Sequence, residues 1–377
     1  MVGLSPFQVG CVEVSNFPVL PEELTAEWFT KILGDANVMA KNNTVTGFEV
    51  AYIGEGVGLL GMVIRVSLSY GASDGAGPET VVIKFAHPVP ENRAIAANLN
   101  MYEREVIFFN EVASEVATPQ PKCYFAAMNY ELGSNVVVLE DLRAYRAGDQ
   151  VAGATVEEVK MVIDAIVPLH AKYWGKAEAL FPNMMQINTS YIGPFTPSVE
   201  GTWANALAQF GYCISEDVTS ALPNYVAKLA DIMRNLGNRT MTLIHGDVRL
   251  DNVMFGDNKP GLVPAVMLDW QAIMVSSPMQ DIAWLLNSGV ATTLRRAHEE
   301  EFLAYYCTKI ADAGVVGYTL DQARTDYDAA LLFMMCYPLI IGGAFDPANA
   351  RGKELAEEGL RRSTAAVSDR GLLKNIP

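Results

Sequence analysis

The run HGDVRLDN at positions 245–252 carries acidic and amide side chains whose spacing suits phosphoryl transfer. Asp247 could accept the proton of an incoming hydroxyl, and Asn252, five residues later, could turn back to coordinate a metal ion. A second carboxylate, Asp269, ends the apolar run AVMLD and could bridge Mg²⁺ and the β- and γ-phosphates of ATP. A strand-terminal aspartate alone is more often a turn former, so the prediction depends on the three residues occurring together.

Other residues of the 245–252 segment fit supporting roles. We expect Arg249 and Asp251 to support the loop or to face the substrate, although Asp251 could also be simply solvated. His245 is better explained as a packed, hydrogen-bonded anchor of the loop than as a proton carrier.

The stretch IGEGVGLLG, between the first two predicted strands, is rich in glycine. Gly54, Gly56 and Gly58, with Gly61 after them, could bring backbone amides close to phosphate oxygens. An ordinary glycine-rich hairpin turn explains the pattern about equally well. Because MVIRVSLSY continues as a strand and not as a helix, the setting favours a kinase-type loop over an NAD-binding one.

Three further segments are candidates for nucleotide binding. Lys84 interrupts the apolar strand VVIKFA and could reach the α- and β-phosphates if a carboxylate positions it, or it could be an edge-strand lysine in water. Glu105 on the next predicted helix is the expected partner, with Glu103 as the alternative because helix phase is uncertain. At the end of VVVLEDL, Glu140 and Leu142 could receive the adenine edge, although an ordinary solvated turn also fits.

Two groups of elements would position these residues. Short runs rich in Val, Ile and Tyr predict an antiparallel meander of five strands, and apolar spacing predicts helices before and within it. These strands lie at 44–54, 60–70, 79–86, 122–129 and 135–142, and the helices at 21–34 and 98–116. Beyond residue 140, three short strands surround the acidic residues, and helices are predicted at 157–174, 201–214, 223–236, 295–313, 320–343 and from 349 onward. We therefore predict an α+β fold with a small N-lobe over 1–140 and a mostly helical C-lobe over 141–377.

Composition limits the classes of function and location. A length of 377 residues predicts two lobes, and a net charge of −16 argues against nucleic acid as a partner. The five cysteines have no CxxC spacing, so neither a disulfide framework nor a zinc site is indicated, and no signal peptide or membrane span is recognisable. We expect a cytoplasmic protein without a membrane or an evident protein partner. The basic residues of the last predicted helix are explained by a solvated face: Arg351, Lys353, Arg361, Arg362 and Arg370.

Together these motifs resemble the aminoglycoside phosphotransferase and choline kinase group of kinase-like enzymes, and most closely its ecdysteroid-kinase-like branch. The resemblance rests on YEREVIFFNEVA, VVVLEDL, PLHAKYW, LIHGDVRLDNVMF and VMLDWQ, and covers roughly residues 45–345. It implies a bilobal protein-kinase-like fold with ATP between the lobes. It also implies Asp247 as catalytic base, Asn252 and Asp269 as Mg²⁺ ligands, and Lys84 with Glu105 at the phosphates.

Other positions match the family less directly. Asp281 corresponds to an acidic position that supports the catalytic loop, although a charge at a helix N-terminus would also explain it. His170 and Trp174 match too, and we expect both in the core of the large lobe. GEGVGLLG matches the protein-kinase loop only loosely, and HGD stands where protein kinases have HRD.

The predicted function is ATP-dependent transfer of the γ-phosphoryl group to a hydroxyl of a small molecule. Protein substrates are disfavoured because no activation-loop segment follows LDW. A hydroxyl on an apolar scaffold is the first expectation for the acceptor, and an aminoglycoside- or choline-type cation the second. Met334, Met335 and Tyr337 could line the acceptor pocket or could be plain core. The alternatives from other classes are a nucleotide-binding pseudokinase scaffold and an NAD-binding oxidoreductase.

Overall fold

A computed structural model describes residues 17–53, 61–344 and 349–376. The described residues form two compact units. Unit 1 takes Met1–Glu115 and Gln120–Arg143, and unit 2 takes Val116–Pro119 and Ala144–Pro377. Unit 2 therefore includes a four-residue segment from within the sequence of unit 1.

Unit 1 is built on an antiparallel five-stranded sheet, as the alternating apolar runs predict. Its strands are β1 (Val45–Tyr52), β2 (Gly61–Tyr70), β3 (Thr80–Ala86), β4 (Cys123–Asn129) and β5 (Ser134–Glu140). They are ordered β1-β2-β3-β5-β4. The sheet places β3, which carries Lys84, between two hydrogen-bonded neighbours, with Lys84 opposite Val63 on β2 and Val137 on β5.

Three α-helices accompany the sheet within the described part of unit 1: α1 (Ala26–Asp35), α2 (Pro90–Asn98) and α3 (Met101–Ile107). Helix α1 begins five residues later than predicted because Pro21–Glu23 forms a 3₁₀ turn and the Thr25 side chain accepts the Trp28 N–H as its N-cap. It buries Phe29 against the sheet core.

The predicted helix at 98–116 is interrupted. Asn100 has a left-handed backbone (φ 50°) that separates α2, which the sequence did not indicate, from α3. After α3 the chain continues as a π-helical turn over Phe108–Val112 and a 3₁₀ turn over Ala113–Glu115. Residues 101–115 are helical, as predicted, but they form an α-helix, a π-helical turn and a 3₁₀ turn in place of one continuous α-helix.

Unit 2 is mostly helical. Its helices are α4 (Val156–Tyr173), α5 (Ala177–Leu180), α6 (Ile192–Phe210), α7 (Glu216–Ala227), α8 (Leu229–Gly237), α9 (Met279–Gly289), α10 (Thr292–Asp312), α11 (Leu320–Met334), α12 (Cys336–Gly343) and α13 (Ala350–Asp369). Within the described ranges, no helix has the length and apolar content needed to cross a bilayer. The apolar run at 331–343 forms the end of α11 and all of α12.

Five short strands connect these helices and hold the site loops. They are β6 (Arg146–Ala147), β7 (Thr242–Ile244), β8 (Val253–Phe255), β9 (Ala265–Met267) and β10 (Met274–Ser276). β8 pairs with β6 and β9, and β7 pairs with β10, all antiparallel. Strands β6 and β10 were not predicted from the sequence, whereas β7, β8 and β9 were.

Candidate active site

The 245–252 segment begins directly after β7 and ends directly before β8. Two tight backbone bonds fold it: the Arg249 N–H donates to the Asp247 carbonyl at 2.9 Å, and the Asn252 N–H donates to the Arg249 carbonyl at 2.9 Å. Asn252 thereby turns back on Asp247, and its Nδ2 donates to both Oδ2 and the backbone oxygen of Asp247 at 3.0 Å. The structure therefore brings these two predicted site residues into contact.

Asp281, in the first turn of α9, holds the start of this loop. Its Oδ2 accepts the His245 N–H and its Oδ1 accepts the Gly246 N–H, both at 2.8 Å. His170 Nε2 lies 3.1 Å from the same Oδ2, and His170 Nδ1 lies 3.1 Å from the Tyr306 hydroxyl. Because Asp281 and His170 are completely buried, the loop is tied to α9 and α4 through groups that water cannot reach.

His245 anchors the loop on its other side. Its Nδ1 accepts the Asp247 N–H at 3.2 Å, and its Nε2 lies 2.8 Å from the Leu268 carbonyl oxygen. The first partner can only donate and the second can only accept, so the hydrogen bonds assign the neutral ring with its proton on Nε2. With both nitrogens occupied, His245 is a structural anchor and not a proton carrier.

Asp269 follows β9 in a left-handed backbone conformation, with φ 62° and ψ 71°. The Leu268 N–H before it donates to the Asn252 carbonyl at 2.8 Å, which fixes the two acidic loops to each other. Gln271 Nε2 lies 3.3 Å from Asp269 Oδ2. Non-glycine residues in this conformation are uncommon and cluster at functional sites.

Gly246 allows the close approach of these two loops. Its φ is +84°, and a Cβ built there would lie 2.2 Å from the Ala272 carbonyl oxygen. A side chain at this position is therefore excluded by both backbone conformation and space.

The loop concentrates negative charge around Arg249, whose side chain is 26% exposed and whose Nε lies 3.5 Å from Asp247 Oδ2. Burial lowers the pKa of the Arg249 guanidinium, but Asp247, Asp251 and Asp269 together outweigh it and raise that pKa above its usual value. Asp251 has a supporting position, because its Oδ1 accepts the Gln150 N–H at 3.1 Å.

The donor set suits a magnesium ion. Because Asn252 Nδ2 faces Asp247, the Oδ1 of Asn252 is the atom of that amide that could bind a metal ion, and Asp269 could supply a carboxylate. In the described residues, no three His, Cys, Asp or Glu side chains form a closed metal cage. Mg²⁺ usually takes one or two carboxylates with water and substrate phosphates, so an open pair of ligands fits it.

Sequence reasoning missed Trp284. Its indole Nε1 donates to Asp247 Oδ1 at 2.8 Å, and the side chain is 2% exposed. A detectable signal existed: a buried indole needs an acceptor, and Trp284 lies one helical turn after Asp281 on the same face of α9.

Tyr337 lies next to Trp284 with its ring centroid 5.2 Å away. Burial first, then the neighbouring Tyr191, raises the pKa of the Tyr337 hydroxyl, with a smaller contribution from Asp247. Tyr337 is partly buried, whereas Met334 and Met335 are fully buried. Of the three residues considered for an acceptor pocket, the two methionines are therefore core.

In unit 1 the structure pairs Lys84 with Glu105. Lys84 Nζ donates to Glu105 Oε1 at 2.5 Å, with the two side chains 16% and 2% exposed. Glu103 instead accepts a hydrogen bond from the Tyr130 hydroxyl at 3.0 Å. Glu105, and not Glu103, is therefore the glutamate that contacts Lys84.

The remaining predicted nucleotide contacts lie at the end of β5 or outside the described residues. The Glu140 N–H donates to the Lys122 carbonyl at 2.8 Å and Leu142 is buried. Gly54, Gly56 and Gly58 lie outside the described residues.

Comparison with protein families gives a match over residues 55–314, more than half of the chain, to the ecdysteroid kinase-like family. The chain belongs to this family. The resemblance predicted from the sequence motifs is thereby confirmed.

Solved structures with the same fold include small-molecule kinases. A choline kinase from Cryptosporidium parvum is 12% identical with a TM-score of 0.54, covering 93% of this chain and 98% of that one. The GDP complex of aminoglycoside 2'-phosphotransferase-IIIa is 15% identical with a TM-score of 0.51, covering 91% and 99%. Plasmodium vivax ethanolamine kinase is 13% identical with a TM-score of 0.50, covering 86% and 84%. At these identities the likeness concerns the fold, and it confirms the α+β protein-kinase-like class.

A curated relative from Caenorhabditis elegans, named uncharacterized oxidoreductase dhs-27, is 21% identical over 317 residues. The match covers 78% of this chain and 38% of that protein. The chain thus spans well under half the length of its curated relative.

Proposed function

We propose that this protein transfers the γ-phosphoryl group of ATP to a hydroxyl of a small molecule. The observation that carries the proposal is the arrangement of Asp247, Asn252 and Asp269. The first two are in direct contact, and the loop of the third is bonded to Asn252 through Leu268. A base beside two oxygen ligands for Mg²⁺ is what phosphoryl transfer requires.

Each residue has a role in the reaction. The substrate oxygen bonds to the γ-phosphorus, the bond to the β,γ-bridging oxygen breaks, ADP leaves, and Asp247 accepts the hydroxyl proton. Asn252 and Asp269 would hold Mg²⁺, which when bound neutralises charge on the phosphates.

The nucleotide contacts are proposed for unit 1. Lys84, held by Glu105, would contact the α- and β-phosphates, because a lysine fixed by a carboxylate presents its charge in one direction. The backbone around Glu140 and Leu142 would receive the adenine edge.

For the acceptor we favour an alcohol on an apolar scaffold. Tyr337, which is partly exposed and packs against Trp284, places aromatic surface near Asp247, and apolar walls with few polar groups suit such a molecule. A cationic alcohol is the second candidate, because aromatic faces also attract cations and the net charge is −16. Screening hydroxylated compounds of both kinds for ADP release would decide between them.

A dinucleotide-dependent oxidoreductase is not proposed, despite the name of the nematode relative. The five-stranded sheet of unit 1 is antiparallel, whereas dinucleotide-binding folds use a mostly parallel sheet with helices on both faces. A thermal shift induced by a nicotinamide dinucleotide would reopen that possibility.

The decisive variant is Asp247→Ala. We expect phosphoryl transfer to be abolished while ATP binding survives, because Asp247 acts on the acceptor hydroxyl and not on the nucleotide. ADP release and calorimetric ATP binding would be measured on the same preparation. A matched control is Asp164→Ala, which removes a surface aspartate 3.1 Å from Lys309.

The same measurement separates an enzyme from a scaffold. If the wild type binds ATP but releases no ADP with any acceptor, the result would favour the alternative function, a nucleotide-binding pseudokinase scaffold. If Asp247→Ala turns over at the wild-type rate, the role given to Asp247 is wrong.

A further inference from the structure

Trp284 donates a hydrogen bond to the carboxylate of Asp247. Its Nε1 lies 2.8 Å from Asp247 Oδ1. The indole is 2% exposed, so water does not compete for this bond. A hydrogen bond from a neutral donor to an ionised carboxylate is stronger than one between neutral groups.

Helix α9 contacts the loop that carries Asp247 at two points, through Trp284 and through Asp281. The Trp284 ring packs at 5.2 Å from Tyr337, which in turn lies 5.6 Å from Phe195 and 5.9 Å from Phe333. One turn earlier on α9, Asp281 binds the backbone of the loop that carries Asp247. A single rigid helix therefore fixes both the backbone and the carboxylate of the catalytic segment.

The two oxygens of Asp247 differ in their surroundings. Oδ2 receives the Asn252 amide at 3.0 Å and faces Arg249 Nε at 3.5 Å, two donors in the described structure. Oδ1 receives the Trp284 indole there. An ionised carboxylate oxygen has two acceptor positions, so Oδ1 retains one for a further proton.

The geometry points to Trp284 as a positioning residue that aims the remaining lone pair of Asp247 Oδ1 at the acceptor hydroxyl. This inference rests on the proposed function, because it needs Asp247 to be the base. Trp284 donates no proton to the substrate; it limits the rotation of the Asp247 carboxylate.

The test is Trp284→Phe, which keeps an aromatic ring against Tyr337 and removes the N–H. We expect kcat to fall by about tenfold to 100-fold, since a displacement of about 1 Å in a reacting group costs up to roughly 100-fold. The KM for ATP should stay within about twofold, because the indole contacts the base. A merely structural role would lower the melting temperature and leave kcat of the folded fraction unchanged, and that result would overturn the inference.

Two variants serve as comparisons. Trp174→Phe removes an indole from the same unit, where Trp174 packs 4.8 Å from Tyr318, and should leave both constants at wild-type values. Trp284→His restores a ring N–H and should exceed the phenylalanine variant in kcat. An equally low kcat for Trp284→His would contradict the role given to the indole N–H of Trp284.

A double variant separates this inference from the proposed function. Adding Trp284→Phe to Asp247→Asn should cause no further loss of kcat, because a positioning residue has no effect once the residue it positions is disabled. A further loss of the same size as in the wild type would refute the inference alone. A wild-type rate for Asp247→Asn by itself would remove Asp247 as the base and this inference with it, whereas a wild type that releases no ADP with any acceptor would refute the proposed function.

Discussion

At the scale of single residues, Asp269 combines a candidate metal-binding carboxylate with a left-handed backbone that aspartate adopts at a cost. The adjacent loop bond from Leu268 to Asn252 and the 3₁₀ turn at Trp270–Ala272 hold it there. Structures maintain such a conformation only when their surroundings enforce it. The carboxylate direction is therefore set by the fold before any ligand binds.

We expect Asp269→Ala to weaken Mg²⁺-dependent ATP binding, because the variant removes the carboxylate ligand. Calorimetry with and without Mg²⁺ measures the effect. Asp257→Ala is the matched control, since Asp257 also has a positive φ (50°) and both changes impose the same backbone strain. Equal ATP affinities for the wild type and Asp269→Ala would count against the assignment.

The sequence predicted contacts within one segment better than contacts between distant segments, although the Lys84–Glu105 pair was among its expectations. Asp247 and Asn252 are five residues apart, so one loop brings them together whatever the rest of the fold does. Trp284 is 37 residues from Asp247, and the Gln150 side chain that accepts the Leu250 N–H is 100 residues away. Such contacts depend on how helices pack; the sequence can indicate that a buried indole needs an acceptor, but it does not identify that acceptor.

At the scale of elements, a charged network joins helices α10, α11 and α13. Arg295 on α10 is 2% exposed and contacts Glu299 at 2.7 Å and Asp369 at the end of α13. Tyr327 on α11 donates to Glu299 at 3.0 Å, and Arg370 lies 3.1 Å from the same carboxylate. Buried charges are tolerated here because each has several partners.

Arg295→Met should destabilise the protein by about 3 kcal/mol, because it removes a buried cation from the buried Glu299 carboxylate. Urea unfolding measures the change. Arg296→Met is the control: Arg296 contacts the same Asp369 at 2.8 Å but is 55% exposed, and its removal should cost clearly less. Equal losses for the two variants would show that burial does not decide the strength of this network.

Several element boundaries departed from the sequence prediction: the helix predicted at 201–214 begins at Ile192, and the one predicted at 223–236 is divided between α7 and α8. The run at 320–343 is two helices, because Pro338 has no N–H to donate to Met334 and α11 ends there. The prediction that Arg362 lies on a solvated face was wrong. It is 5% exposed and donates to the carbonyls of Gln150, Val151 and Ser288, which apolar spacing cannot reveal.

At the scale of the whole molecule, the chain enters unit 2 twice. Val116–Pro119 belongs to unit 2, where the Thr118 hydroxyl accepts the Leu169 N–H of α4 at 3.1 Å and the Pro119 carbonyl accepts the Met267 N–H at 2.8 Å. The predicted lobe boundary at residue 140 stays a prediction. The spacing of apolar residues did not indicate that Val116–Pro119 belongs to unit 2, because a segment of four residues is too short to show a helical or strand periodicity.

Thr118→Val should destabilise unit 2 by about 1–3 kcal/mol, since it leaves a buried amide N–H without its acceptor. Hydrogen exchange of the Leu169 amide measures the effect. Thr30→Val is the counterpart in unit 1, where the Thr30 hydroxyl accepts the Val45 N–H at 2.8 Å. If Thr118→Val speeds exchange in the strands of unit 1 and not at Leu169, the assignment of this segment to unit 2 is incorrect.

Gly246 has a consequence for protein engineering. Grafting the HRD sequence of protein kinases onto this loop would place an arginine where a Cβ already meets the Ala272 carbonyl oxygen at 2.2 Å. A successful chimera would have to exchange the turn at Trp270–Ala272 together with the loop. The 245–252 loop and the Trp270–Ala272 turn should therefore be exchanged together. Mutant libraries that randomise either segment should keep glycine at position 246.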